Sequence, residues 1–158
     1  MDVKSLLPVA LGTVMMIYSN ISSIYAMNKP RYAIKDFSHP YKPWMEGQDD
    51  EKSYRAFKAS ENQREWLVYT LPLFWLLVLF APALPSVAGF QTARFAPWLY
   101  VSLAALWSKA NVDYMTGYMQ SAEARIPAFK LRTSVFKAIF GLLALEMGLS
   151  VCEAVGIF

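Results

Sequence analysis

Residues 114–125 read YMTGYMQSAEAR, in which two phenols, a hydroxyl and a guanidinium recur at Tyr114, Tyr118, Ser121 and Arg125. Intervals of four, three and four put these side chains on one stripe of a helix turning about 100° per residue. A second stripe starts in residues 54–66, YRAFKASENQREW. There Arg55, Lys58, Asn62 and Glu65 follow at intervals of three, four and three, and Tyr69 continues the line. Together the stripes offer cations for carboxylates, a carboxylate for an amine, an amide for peptide groups and phenols for further hydrogen bonds. A small zwitterionic or anionic molecule fits that inventory, and a thiol peptide is one candidate. Arg125 stays protonated and cannot act as a base. It can hold a thiolate, because lowering a thiol pKa by ~2 units needs only about 2.7 kcal/mol of differential stabilisation. The same cations could snorkel to lipid headgroups, but headgroup contact does not require Asn62, Glu65 and two tyrosines in register.

The elements that position these residues are apolar. The chain has 158 residues, which suggests one domain. Only 17% of residues are charged and 15% are aromatic, with a mean hydropathy of +0.27. That balance reads as a membrane protein, in which amphipathic rings gather at the bilayer interfaces. A net charge of +3 without a run of five or six like charges gives a nucleic-acid partner no support. Cys152 is the single cysteine, which leaves no disulfide framework within the chain and no cysteine metal site. The single histidine, His39, precedes Pro40 in a polar loop and reads as solvated, so metal catalysis is not expected.

Four apolar helices are expected, with spans at about residues 6–27, 66–86, 95–120 and 135–157, and a polar loop over residues 28–60. The first is read as a span and not as a removed leader. Within the loop, three prolines and EGQDD indicate turns to about Asp50; from Glu51 the composition favours a helix running into the second span. Pro82 and Pro85 end that span. Eight Lys/Arg fall between Lys29 and Arg64 and four between Arg125 and Lys137, against Lys4 and Arg94 on the other side. The positive-inside rule then makes the first and third loops cytoplasmic. The fold class is all-α: an integral-membrane four-helix bundle, left-handed with crossings near 20°. In the first span, the NIS at residues 20–22 is a chance match to a glycosylation acceptor, and Ser19, Asn20 and Ser23 are expected to bond between helices.

At this point the two stripes resemble those of the MAPEG superfamily of integral-membrane glutathione-using proteins. The pattern Y-x-x-G-Y-x-x-S-A-x-x-R is similar to its microsomal glutathione transferase and leukotriene-forming synthase branch, and N-x-x-E stands as NQRE at Asn62 to Glu65. The resemblance extends to the four spans and the polar first loop, and so covers essentially the whole chain. It implies a homotrimer with glutathione between subunits near the cytoplasmic face. In that scheme Arg125 would stabilise the thiolate, and Tyr114 and Tyr118 would bind the peptide, with Ser121 on the same stripe. Asn62 and Glu65 would hold the backbone and amino end, with Lys58 and Arg55 as cations and Arg31 or Lys29 assisting from the first helix. Three departures concern the glycine-carboxylate end: Lys58 replaces an arginine, Trp66 stands where a tyrosine commonly follows the glutamate, and the expected proline is displaced to Pro72. Lysine cannot offer a carboxylate the bidentate fork of arginine.

Lys109 and Asp113 are four apart on the third helix and are expected to neutralise each other, with Glu146 as an extension of the pair. The leading reading is a membrane-bound glutathione transferase that conjugates glutathione to lipophilic electrophiles or reduces lipid hydroperoxides. A catalytically silent scaffold of the same fold, presenting lipid or packing in a larger membrane assembly, is the alternative. A small transporter is a third.

Overall fold

A computed structural model describes residues 3–34, 51–80, 96–121 and 123–157. Among them there are four helices and no strand: α1 (Val3–Ile34), α2 (Glu51–Phe80), α3 (Ala96–Gln120) and α4 (Ile126–Ala154). Helices α2 and α3 each pack against all three of the others, whereas α1 and α4 scarcely touch. Residues 35–50 and 81–95, which include His39, Pro82, Pro85 and Arg94, lie outside the described residues.

The helices run past the apolar segments that announce them. α1 continues to Ile34, seven residues beyond its expected span, and α2 begins at Glu51, where its composition starts to favour helix. α2 also continues through Pro72, whose missing N–H costs one ladder bond. The largest difference concerns the third loop. Residues 126–134 are helical, and the link between α3 and α4 is only residues 121–125. A proline in the first turn of α4 favours starting a helix there, because the first N–H groups have no partner to lose. Lys130 and Lys137 remain exposed on α4, but Arg132 is completely buried. It is therefore an interior cation and not one of the loop charges that set orientation.

The core is apolar and draws on every helix. Val9 and Met16 of α1, Phe74 and Leu77 of α2, Trp107 and Ala104 of α3, and Ile139 and Leu143 of α4 form one buried cluster. Gly12 lets α1 approach closely: a Cβ there would lie 2.9 Å from Phe74 Cζ and 3.0 Å from Ala104 Cβ. Hydroxyls on α1 return mainly to their own helix, as where Ser23 Oγ donates to the Ser19 carbonyl at 2.9 Å. Of the three interhelical bonds expected, Ser19 makes one, accepting from Asn111 Nδ2 at 3.4 Å. Ser23 bonds locally instead, and Asn20 Oδ1 is buried without a partner among the described residues.

Much apolar surface faces outward. Leu7–Ala26 and Ile126–Ala154 are long and apolar enough to cross a membrane, with mean hydropathies of 1.4 and 1.8. Leu7, Val14, Tyr18 and Tyr25 on α1 are more than half exposed, as are Phe140 and Val151 on α4. A surface of this kind calls for a lipid or protein cover. Lys109 Nζ hydrogen-bonds Asp113 Oδ2, as the spacing predicts, with the two side chains 66% and 44% exposed. Glu146, in contrast, is fully buried.

Trp107 is fully buried in the core and Trp98 is 62% exposed. Trp107→Ala is expected to cost about 3–5 kcal/mol and Trp98→Ala less than about 1 kcal/mol. Chemical unfolding in detergent micelles measures both.

Candidate functional site

The stripe on α3 does not run unbroken to Arg125, because the helix stops at Gln120. Ser121 N–H donates to the Gly117 carbonyl at 3.0 Å, and Ser121 Oγ accepts from the Ala124 N–H at 3.0 Å. These bonds fold the chain back over Gly117. A Cβ at Gly117 would lie 2.5 Å from the Ala124 carbonyl oxygen and 3.0 Å from the Arg125 nitrogen, so only glycine leaves room for the returning backbone. Ser121 thus shapes the turn, and the turn brings Arg125 back to the tyrosines: its guanidinium lies 4.4 Å above the Tyr118 ring. Tyr118 in turn packs on Tyr114, with centroids 5.7 Å apart and planes tilted by 40°.

The second stripe meets the first at one point. Asn62 Nδ2 donates to Tyr114 Oη at 3.0 Å. Around that bond Asn62, Tyr114, Arg125, Ile126 and Phe129 line a cavity of about 340 Å³. Its polar groups are an amide, a phenol and a guanidinium, and Ile126 opens α4. The Ile126 N–H is taken by the Glu123 carbonyl at 3.0 Å, so the start of that helix contributes through the positive end of its dipole. The cavity therefore favours a negatively charged group, with apolar walls from Ile126 and Phe129. No group of three or more His, Cys, Asp and Glu side chains that could hold a metal gathers among the described residues.

Other residues of the second stripe have separate tasks. Arg55 Nη1 donates to the Gln120 carbonyl at 3.0 Å, and so places a cation on the negative end of α3. Lys58 Nζ pairs with Glu61 Oε2 at 2.9 Å, with both side chains 34% exposed. Glu65 lies one turn beyond Asn62 but lines a different cavity, of about 290 Å³, with Trp66, Tyr69 and Phe136. Lys29 is exposed on α1. The Arg31 side chain lies outside the described residues.

Sequence reasoning missed the group that stands between the two cavities. The Arg132 guanidinium lies 4.3 Å from the Tyr114 ring centre, 4.8 Å from Trp66 and 5.8 Å from Phe129. Its Nη1 donates to Asn111 Oδ1 at 3.3 Å, and Gln63 Nε2 donates to the Asn111 carbonyl. With the Asn111–Ser19 bond, this polar core joins all four helices. Trp66 gains a role from it, since its ring carries Arg132 and meets Phe136 edge-on at 5.3 Å. A signal for Arg132 was present: it falls in register with Ala128, Val135, Ile139, Leu143 and Glu146, the buried line of α4.

Because Gly117 is where two backbones nearly touch, Gly117→Ala is expected to lower stability by about 1–3 kcal/mol. Gly148→Ala, whose added Cβ meets nothing within 4 Å, serves as the neutral control in thermal unfolding. No protein-family model matches this chain, and no curated protein matches it.

Proposed function

We propose that the chain is a multi-pass membrane protein that binds glutathione and uses its thiolate against lipophilic substrates. The carrying observation is the cavity in which Asn62, Tyr114 and Arg125 converge at the start of α4. Arg125 compensates the negative sulfur, and Tyr114 and Tyr118 bind the peptide beside it. In conjugation the thiol proton leaves to water, sulfur forms a bond to the electrophilic carbon, and a leaving group departs with its electron pair. In hydroperoxide reduction the thiolate attacks a peroxide oxygen; a second glutathione completes the disulfide, releasing an alcohol and water. Lipophilic substrates reach such a site through the bilayer, and the exposed apolar faces of α1 and α4 suit that medium.

In this reading four spans form a left-handed bundle with loops one and three on the cytoplasmic side, in the endoplasmic reticulum or another internal or bacterial inner membrane. Three copies assemble, with the ligand between neighbours. The exposed Lys109–Asp113 pair supports assembly, because charged groups within a span are costly against lipid and call for a protein cover.

One observation favours the alternative, a silent scaffold of the same fold. Lys58 is engaged with Glu61, and Glu65 lines a separate cavity. The groups expected at the two ends of glutathione therefore do not converge within one protomer. Glutathione-dependent activity of the purified protein separates the readings. Arg125→Ala is expected to cut turnover with a model electrophile by ~10²–10³-fold while leaving the assembled mass by light scattering unchanged. Unchanged turnover would remove Arg125 from the mechanism.

A further inference from the structure

Arg132 is the largest charged side chain that the fold hides completely from water among the described residues. Among the described residues, one nitrogen bonds Asn111 Oδ1, Nε has no partner, and no carboxylate pairs with it. A buried charge without a counter-ion is unfavourable unless something else compensates it. Three aromatic faces do part of this, each cation–π contact contributing more when desolvated than at a surface. Two of those rings, Tyr114 and Phe129, are also walls of the cavity that holds Arg125. The charge therefore stands directly behind the wall, in surroundings that screen it weakly.

The orientation of Tyr114 adds to this. Its oxygen accepts the Asn62 amide hydrogen at 3.0 Å, so the phenol's own hydrogen remains to be donated elsewhere. A cation over the ring draws electron density from it and strengthens that donation. Arg125 over Tyr118 and Arg132 over Tyr114 thus bracket the tyrosine pair at 4.4 and 4.3 Å.

We propose that Arg132 is a positioning residue of the Asn62–Tyr114–Arg125 site: its buried charge holds Tyr114 as a donor and, mainly through that hydroxyl, favours negative charge in the cavity. It acts on the ionised sulfur, and so moves the Tyr114 hydroxyl from the peptide, where the glutathione reading has it, to the sulfur. The proposal rests on the glutathione reading above and adds to it a second cation, one that never touches substrate.

The test uses the full-length protein in detergent with two probes. S-methylglutathione has no ionisable thiol and reports peptide binding, while turnover of glutathione with a model electrophile reports the thiolate. Wild-type protein decides the reading first: if it neither binds the one nor turns over the other, glutathione chemistry fails and this proposal falls with it. In active protein, Arg132→Met is expected to lower kcat by ~10-fold or more and to leave S-methylglutathione affinity within about threefold. In a Tyr114→Phe background most of the Arg132→Met loss in kcat should vanish, because the two residues act as a unit. Arg132→Lys keeps the charge and is expected to stay within about fivefold of wild type in kcat. Should Arg132→Met fail to fold, the same cycle is run with Arg132→Gln, which also removes the charge, and Tyr114→Phe. An Arg132 that merely fills space would weaken S-methylglutathione binding in step with turnover, or lose the same factor with and without the Tyr114 hydroxyl. Either result overturns the proposal.

Discussion

A guanidinium sealed among hydrocarbon must find its partners within the protein, and Arg132 finds them in every layer of this fold. Asn111 of α3 accepts from it, Ser19 of α1 and Gln63 of α2 bond to Asn111 in turn, and rings from α2, α3 and α4 cover its faces. Where no water can complete a hydrogen bond, such interior polar links fix helix register better than apolar contact, which tolerates sliding. The position of Tyr114 follows from this arrangement, and with it the wall of the cavity. Trp66, read from sequence as a departure at the ligand site, is in the structure a platform for that buried cation.

The second constraint is the tight return between α3 and α4. Gly117 admits the backbone, Ser121 closes the turn, and a proline opens the next helix. These three residues bring Arg125 over Tyr118 and the start of α4 to the same cavity. Charge then accumulates from three sources: one guanidinium at the rim, one behind the aromatic wall, and the end of a helix 29 residues long. The two stripes of polar residues meet at this positively charged cavity, although only Asn62, Tyr114 and Arg125 line the space itself.

The helices, the start of α2 at Glu51 and the Lys109–Asp113 pair were legible in the sequence, because each rests on local periodicity or spacing. The end of α3 was not. A stripe of intervals four, three and four continues equally well through a helix or across a turn that returns to the same face. Only Gly117, the serine and the proline distinguish the two. The start of α4 was hidden by charge: Lys130, Arg132 and Lys137 look like a loop when counted, yet two point outward and one points into the core. Asn111 and Gln63 carry no motif at all. Their roles arise from pairing between residues 48 apart in the chain, which no local pattern encodes. Glu65 shows the converse, since a spacing of three from Asn62 did not keep it in the same cavity.

The most direct measurement is a structure of the detergent-solubilised protein with glutathione bound. The account predicts the sulfur in the cavity of Asn62, Tyr114 and Arg125, within hydrogen-bonding distance of the Arg125 guanidinium or the Tyr114 hydroxyl, with the Arg132 charge behind the ring. Glutathione with its sulfur remote from Arg125, or that cavity empty while the ligand sits only against Glu65 and Trp66, would contradict it.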